Sequence, residues 1–292
     1  MPVVQFGNVF YFFYLIMGTL AILATIRLLK NKSDSYRYWF LFGVLVFNFA
    51  LHYLKIFIYP YTTLDFPLHK VSLENVCAVN SVIFPTLFLT KNKTLKDYLV
   101  MSGMVSGFLA FVYPANAISD RFDGAFFGHQ MAFSVEIIRF YISHLILFLV
   151  PFVMMHYRMH EISIKRFSRA PLVFIMVLFI IFINELILAM LNWIPKADLY
   201  DVNKRNPSLI FGMSPEFSRV GWVLLIFVPE FLKIHPLTGE PFFWPVVWMV
   251  LPVLIYTMIM SIVFCYIYDR NDTKAYLSRR LHLDKSQQSE LK

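Results

Sequence analysis

The chain has 292 residues, of which 59% are hydrophobic, 18% aromatic and only 15% charged, with a mean hydropathy of +0.63. A soluble domain carries about 25% charged residues, so this composition excludes a water-soluble globule and implies an integral membrane protein. The net charge of +8 collects in connections between apolar runs, which argues against nucleic acid as a partner and for membrane lipids.

Apolar runs long enough to cross a bilayer, about 20 residues each, lie at 9–29, 36–58, 69–90, 97–115, 131–156, 170–193 and 244–268. The first follows an N-terminus without Lys or Arg and is too long for a signal peptide, so it is expected to remain as a helix. These runs predict an all-α membrane fold, a polytopic bundle of seven transmembrane helices filling 1–268. The loop 194–243 contains "RVGWVLLIFVPEFLK" at 219–233, too short an apolar run to cross and read as an interfacial helix. Residues 269–292 form a basic tail. Cys77 and Cys265 fall at different depths of their spans, which predicts no disulfide between them.

Basic residues set the orientation. The first, third and fifth connections and the tail hold seventeen of the twenty-six, among them Arg27, Arg37, Lys91, Lys96, Arg158, Arg166, Arg270 and Arg279. In the 194–243 loop, five basic residues meet five acidic ones. The expectation is a multi-pass protein of the cell membrane with its N-terminus outside and its C-terminus in the cytoplasm.

Ionisable groups inside spans are costly and therefore candidate functional residues. Span two carries Asn48, His52 and Lys55 on one face; span three opens with His69 and continues with Ser72, Glu74, Asn75, Cys77 and Asn80. Span five offers Glu136, Arg139, Ser143 and His144, and span six Asn184, Glu185 and Asn192. With the orientation above, these groups share the outer half of the membrane and predict a polar cavity there. Plainer readings stand beside this one. Lys55 and Lys70 are expected to snorkel to the interface, Arg139 to pair with Glu136, and Asn48, Asn80 and Asn184 to bond helix to helix. His129, His156, His160, His235 and His282 lie at span ends or in loops, where a solvated ring is expected. His52, His69, His144 and Glu185 would satisfy zinc if they met, but no HExxH spacing supports a metal, and no cofactor is implied.

The order of "FPLHKVS" (66–72), "RFYISHLILFLVP" (139–151), "NELILAMLN" (184–192) and "NPSLI" (206–210) resembles the YwaF-like family of bacterial integral membrane proteins, related to the eukaryotic transmembrane protein 164. The resemblance implies a seven-helix fold and, from the eukaryotic branch, acyl transfer between glycerophospholipids by an intramembrane cysteine and a histidine. His144 matches the histidine of the family's "SH" motif, His69 that of its Pro-x-His motif, and Asn192 the asparagine ending its sixth span. The family's cysteine does not carry over: Leu68, Lys70 and Val71 occupy its usual places, with Ser72 next and Cys77 two helical turns deeper.

Two functions follow. In the first, a phospholipid acyltransferase, His144 is the base, Ser72 or Cys77 the nucleophile, and His52, His69, Asn75, Arg139, Asn184, Glu185 and Asn192 bind substrate. In the second, a transporter or binding protein for a small polar or lipid solute, His144, Arg139 and Glu185 form a proton or anion site. A non-catalytic membrane partner of another protein is the third class.

Overall fold

The computed structural model describes residues 2–118, 130–213 and 218–279. His129, His282 and the tail from 280 onward therefore lie outside the described residues. The chain forms helices α1 (Val9–Leu29), α2 (Asp34–Leu54), α3 (Val76–Leu89), α4 (Lys93–Val112), the short α5 (Ala115–Ile118), α6 (Val135–His156), α7 (Arg169–Met190), α8 (Ser218–Leu225) and α9 (Val247–Tyr268). No strand forms among the described residues beyond two isolated bridges. Side chains fix several helix starts: Asn8, Ser33, Asn92 and Ser134 each accept a hydrogen bond from a first-turn amide.

Six helices are long and apolar enough to cross a membrane: α1, α2 continued to Phe57, α4, α6, α7 and α9. The third run differs from expectation. It becomes helical at Val76 rather than near His69, leaving an α3 of 14 residues. At 1.5 Å per residue that is about 21 Å, short of the roughly 30 Å apolar thickness of a bilayer. Pro60 and Pro67 keep the residues before them out of the α region, so 55–75 folds as three short 3₁₀ turns instead: Lys55–Phe57, Tyr61–Thr63 and Pro67–Val71. Asn75, extended at φ −160°, then caps α3 by accepting from the Ala78 amide. In the 219–233 stretch, α8 has 8 residues and is followed by a 3₁₀ turn at Glu230–Leu232. The Tyr256 hydroxyl on α9 donates to the Val223 carbonyl and holds that stretch to the bundle.

The helix ends sort into two faces. One gathers the basic connections and is tied together by Asp97 at the start of α4. Asp97 is 1% exposed and accepts from His160 Nε2 at 2.7 Å and from Arg166 Nε at 2.8 Å. The hydrogen bond to the Asp97 carboxylate raises the Arg166 pKa. His160 is therefore buried rather than solvated, because the connection 157–168 folds back under α4. On the same face Tyr157 donates to the Ile26 carbonyl at 2.6 Å, and the Arg37 guanidinium lies over the Tyr157 ring. The opposite face carries the 55–75 segment and the long connection from α7 to α9. There α1 is held by Tyr11 and Tyr14, whose hydroxyls donate to the carbonyls of Val112 and Ala132.

The most extensive helix contact joins α4 to α6 through "GMVSG", Gly103 to Gly107. A Cβ on Gly103 would sit 2.7 Å from the Leu147 carbonyl oxygen, and one on Gly107 2.6 Å from the Phe148 nitrogen and 2.7 Å from the His144 carbonyl oxygen. Small residues four apart let two backbones touch, the packing that joins helices where lipid offers no hydrophobic driving force. Gly43, on the exposed side of α2, has nothing within 4 Å of the same position.

This contrast is testable by thermal unfolding of the detergent-purified protein. Gly107→Ala is expected to cost about 1–3 kcal/mol through overpacking against backbone, and Gly43→Ala to cost nothing. Equal effects of the two substitutions would contradict the assigned α4–α6 contact.

Candidate functional site

The polar residues of the second face assemble around the N-terminus of α3, which starts inside the bundle. Cys77, its second residue, has its thiol near the Ser106 hydroxyl on α4. Gly107, the next residue of α4, touches the His144 carbonyl. Cys77 and His144 thus meet α4 at the same level from two sides. His144 lies nine residues into α6 from Val135, about 13 Å along that helix. The start of α3 is therefore sunk by more than two helical turns.

The first-turn amides of α3 are satisfied unevenly. Val76 donates to the Ser208 hydroxyl at 3.1 Å, Ala78 to Asn75 Oδ1 at 2.9 Å and Val79 to the Asn75 carbonyl at 2.9 Å. The Cys77 amide has no acceptor among the described residues. Ser208 reaches α3 from the "NPSLI" segment, where Ser208 and Leu209 both take positive φ, 51° and 63°. Such angles strain a residue with a side chain by about 1–3 kcal/mol. Asn206 holds the turn, accepting from the Phe211 amide and donating to the Gly212 carbonyl.

Around this helix start lie three buried charge clusters. Arg139 on α6 pairs bidentately with Glu136, at 2.6 and 2.5 Å, and Tyr61 donates to the same carboxylate at 2.7 Å. Arg205 reaches back to α7 and pairs bidentately with Glu185, which is 0% exposed. Glu74 accepts from Lys55 at 3.4 Å and Lys70 at 3.3 Å. Neither lysine snorkels: each is 5% exposed, because 55–75 folds into the bundle instead of rising to the interface.

The histidines are oriented by backbone carbonyls. A carbonyl only accepts, so the ring nitrogen facing it must carry the proton. His144 Nδ1 donates to the Phe140 carbonyl at 2.8 Å, which leaves Nε2 as the basic atom. His69 Nδ1 donates to Phe66 at 2.6 Å, with the same consequence. His52 is reversed: Nε2 donates to Val71 at 3.1 Å. Among the described residues no carboxylate hydrogen-bonds the His144 ring.

Of the other candidates, Ser72 donates to the His69 carbonyl at 2.6 Å and accepts from Asn184 at 3.1 Å, while the Leu73 amide donates to Asn184 Oδ1. Ser72 and Asn184 are thus struts between the 55–75 segment and α7. Asn75 is the α3 cap. Asn192 stands apart: it is exposed at φ 56° and ends α7, away from Glu185 on the buried side. Asn48 donates to Ser81, and Asn80 bonds Ser102 and Tyr98, as interhelical ties. The Ser143 hydroxyl and Asn48 Oδ1, both buried, have no partner among the described residues. Cys77 and Cys265 are free. No three His, Cys, Asp or Glu side chains among the described residues converge to hold a metal.

Sequence reasoning did not single out Arg205, Ser106 or Ser208. Arg205 sits in a polar loop twenty residues from its partner, where no periodicity marks it. Gly103 and Gly107 were passed over as well, although their four-residue spacing is a signal that the sequence carries.

A model of the TMEM164 family matches residues 5–268 of the chain. No curated protein and no solved structure is matched.

Either half of the Glu185–Arg205 pair is costly to remove. Glu185→Gln or Arg205→Gln is expected to lower stability by about 3–5 kcal/mol, since each leaves a buried charge unpaired. The double substitution should cost less than the sum of the two. Strictly additive losses in thermal unfolding would show that the two groups do not pair.

Proposed function

Because the chain belongs to the TMEM164 family, we propose that it is a seven-pass membrane enzyme that transfers acyl chains between lipids, with Cys77 as nucleophile and His144 as base. In this reading α3 and the folded 55–75 segment together make the seventh crossing. The basic face is cytoplasmic, the N-terminus outside, and the site opens toward the outer leaflet of the cell membrane.

The observation that carries the proposal is the shared level of Cys77 and His144 on α4, combined with the fixed tautomer of His144. A thiol in apolar surroundings stays protonated by itself, so it needs a base, and Nε2 is the basic ring atom. His144 takes the thiol proton as sulfur attacks the ester carbonyl of a donor lipid. The resulting oxyanion meets the unpaired Cys77 amide at the positive end of the α3 dipole. Collapse breaks the ester C–O bond, His144 returns the proton to the departing alcohol, and a thioester remains on Cys77. A lysolipid hydroxyl then gives its proton to His144, attacks the thioester and restores the thiol. Ser72 fits the nucleophile role less well, because its hydroxyl already donates to a backbone carbonyl. The transport reading is less well supported, since Arg139 and Glu185 are each committed to a bidentate partner.

The test uses the full-length protein in liposomes with a phospholipid labelled on one acyl chain and an unlabelled lysophospholipid acceptor. Label is expected to pass to the acceptor, and hydroxylamine-sensitive label to accumulate on the protein. Cys77→Ala and His144→Ala should each reduce transfer at least about 100-fold, and Ser72→Ala less than tenfold. Absence of transfer by the wild type, or full transfer by Cys77→Ala, would overturn the mechanism.

A further inference from the structure

The three charge clusters do not balance. Three buried cations, Lys55, Lys70 and Arg205, and the partly buried Arg139 face three buried carboxylates, Glu74, Glu136 and Glu185, among the described residues. Two of the carboxylates are each taken bidentately by an arginine, which leaves two lysines sharing Glu74. The excess charge therefore resides on Lys55 and Lys70.

Their geometry agrees. The contacts to Glu74, 3.4 and 3.3 Å, are long beside the 2.5 and 2.6 Å of the Arg139 pair. Each ammonium has three N–H donors, and Glu74 is the only hydrogen-bond acceptor of either among the described residues. Lys55 also stands over the Tyr61 ring at 5.6 Å. Burying an ammonium without full compensation is expensive, and a monoanion between the two lysines removes that cost.

The surroundings indicate what bears the anion. Phe57, Tyr59, Phe66 and Leu68, from the same segment, are 74%, 63%, 54% and 46% exposed. An apolar rim beside a buried cation pair suits a molecule with hydrocarbon chains and a phosphodiester.

We infer that Lys55 and Lys70 form a phosphate-binding subsite for a phospholipid headgroup, with Glu74 holding the two ammoniums apart and limiting the site to one negative charge. The inference deepens the acyl-transfer reading and rests on it only for the statement that the bound lipid is a substrate.

Binding is measured by thermal-unfolding titration of the full-length chain in a neutral detergent. Three probes are compared: dioleoyl phosphatidylglycerol, dioleoylglycerol with the same chains and no phosphate, and inorganic phosphate. A saturable stabilisation by phosphatidylglycerol and none by dioleoylglycerol is expected. Stabilisation by inorganic phosphate alone would overturn the lipid assignment. Lys55→Gln and Lys70→Gln should each raise the apparent Kd at least tenfold while leaving the lipid-free protein as stable as wild type or more so. Glu74→Gln should act in the opposite direction, lowering lipid-free stability and tightening phosphatidylglycerol binding, which a general loss of folding does not do. Lys204→Gln, on the exposed surface, serves as the unaffected control. Equal stabilisation by the two dioleoyl lipids, or an unchanged Kd in both lysine variants, would overturn the subsite. Cys77→Ala is expected to bind phosphatidylglycerol like wild type, so failure of the transfer chemistry and failure of this subsite are read separately.

Discussion

The backbone contact between α4 and α6 is the constraint on which the remaining geometry depends. Two glycines four residues apart remove the side chains that would separate these helices, and the His144 carbonyl oxygen rests 2.7 Å from where a Cβ of Gly107 would be. In lipid, apolar side chains gain little by leaving the solvent for one another, so close packing and hydrogen bonds must hold helices together. Here the packing also sets register. It fixes His144 against one turn of α4, and that turn presents Ser106 to Cys77. A shift of one helical turn between α4 and α6 would move His144 about 5 Å from the level of Cys77.

Buried charge is the second constraint, and it works against stability. Glu136, Glu185 and Asp97 are almost wholly inaccessible, and each is offset by an arginine in good geometry. Such pairs roughly break even against desolvation and gain specificity of arrangement rather than net energy. That arrangement links parts of the chain that helix packing alone leaves free. Arg205 fastens the long α7–α9 connection to α7, Glu74 draws the end of α2 to the start of α3, and Asp97 draws the 157–168 connection beneath α4. The clusters therefore act as clamps on the non-helical segments.

Hydropathy made most of the fold legible. The run 9–29 coincides with α1, and the other long spans differ from their helices by a few residues at the ends. What hydropathy does not register is a run that is apolar enough to cross but turns too tightly to be an α-helix throughout. The third span begins seven residues later than its sequence suggests, since two prolines and the Asn75 cap act locally, below the resolution of a 20-residue window. The same limit explains Lys55 and Lys70. A lysine near a span end snorkels if the chain beyond it runs outward, and here it turns inward. Helix-face arguments fared better where the helix was real: Asn48, His52 and Lys55 are all buried on one side. They did not serve for Asn192, which shares a nominal face with Glu185 but falls where α7 unwinds. Partners far apart in sequence, such as Arg205 for Glu185 and Ser208 for Val76, carry no local signal at all.

The cap that Ser208 places on the Val76 amide has a consequence for biosynthesis. The two residues are 132 apart in the chain. At a synthesis rate of about 5–20 residues per second, the Val76 amide waits on the order of ten seconds for this acceptor. Over the same interval Glu185 is made before Arg205 can neutralise it. A nascent chain halted between α7 and the "NPSLI" turn would thus hold an unpaired Val76 amide and an unpaired carboxylate inside the bilayer. Such a chain matches the description of a client for membrane-insertion chaperones and quality-control proteases, and it ceases to do so once that one turn has closed.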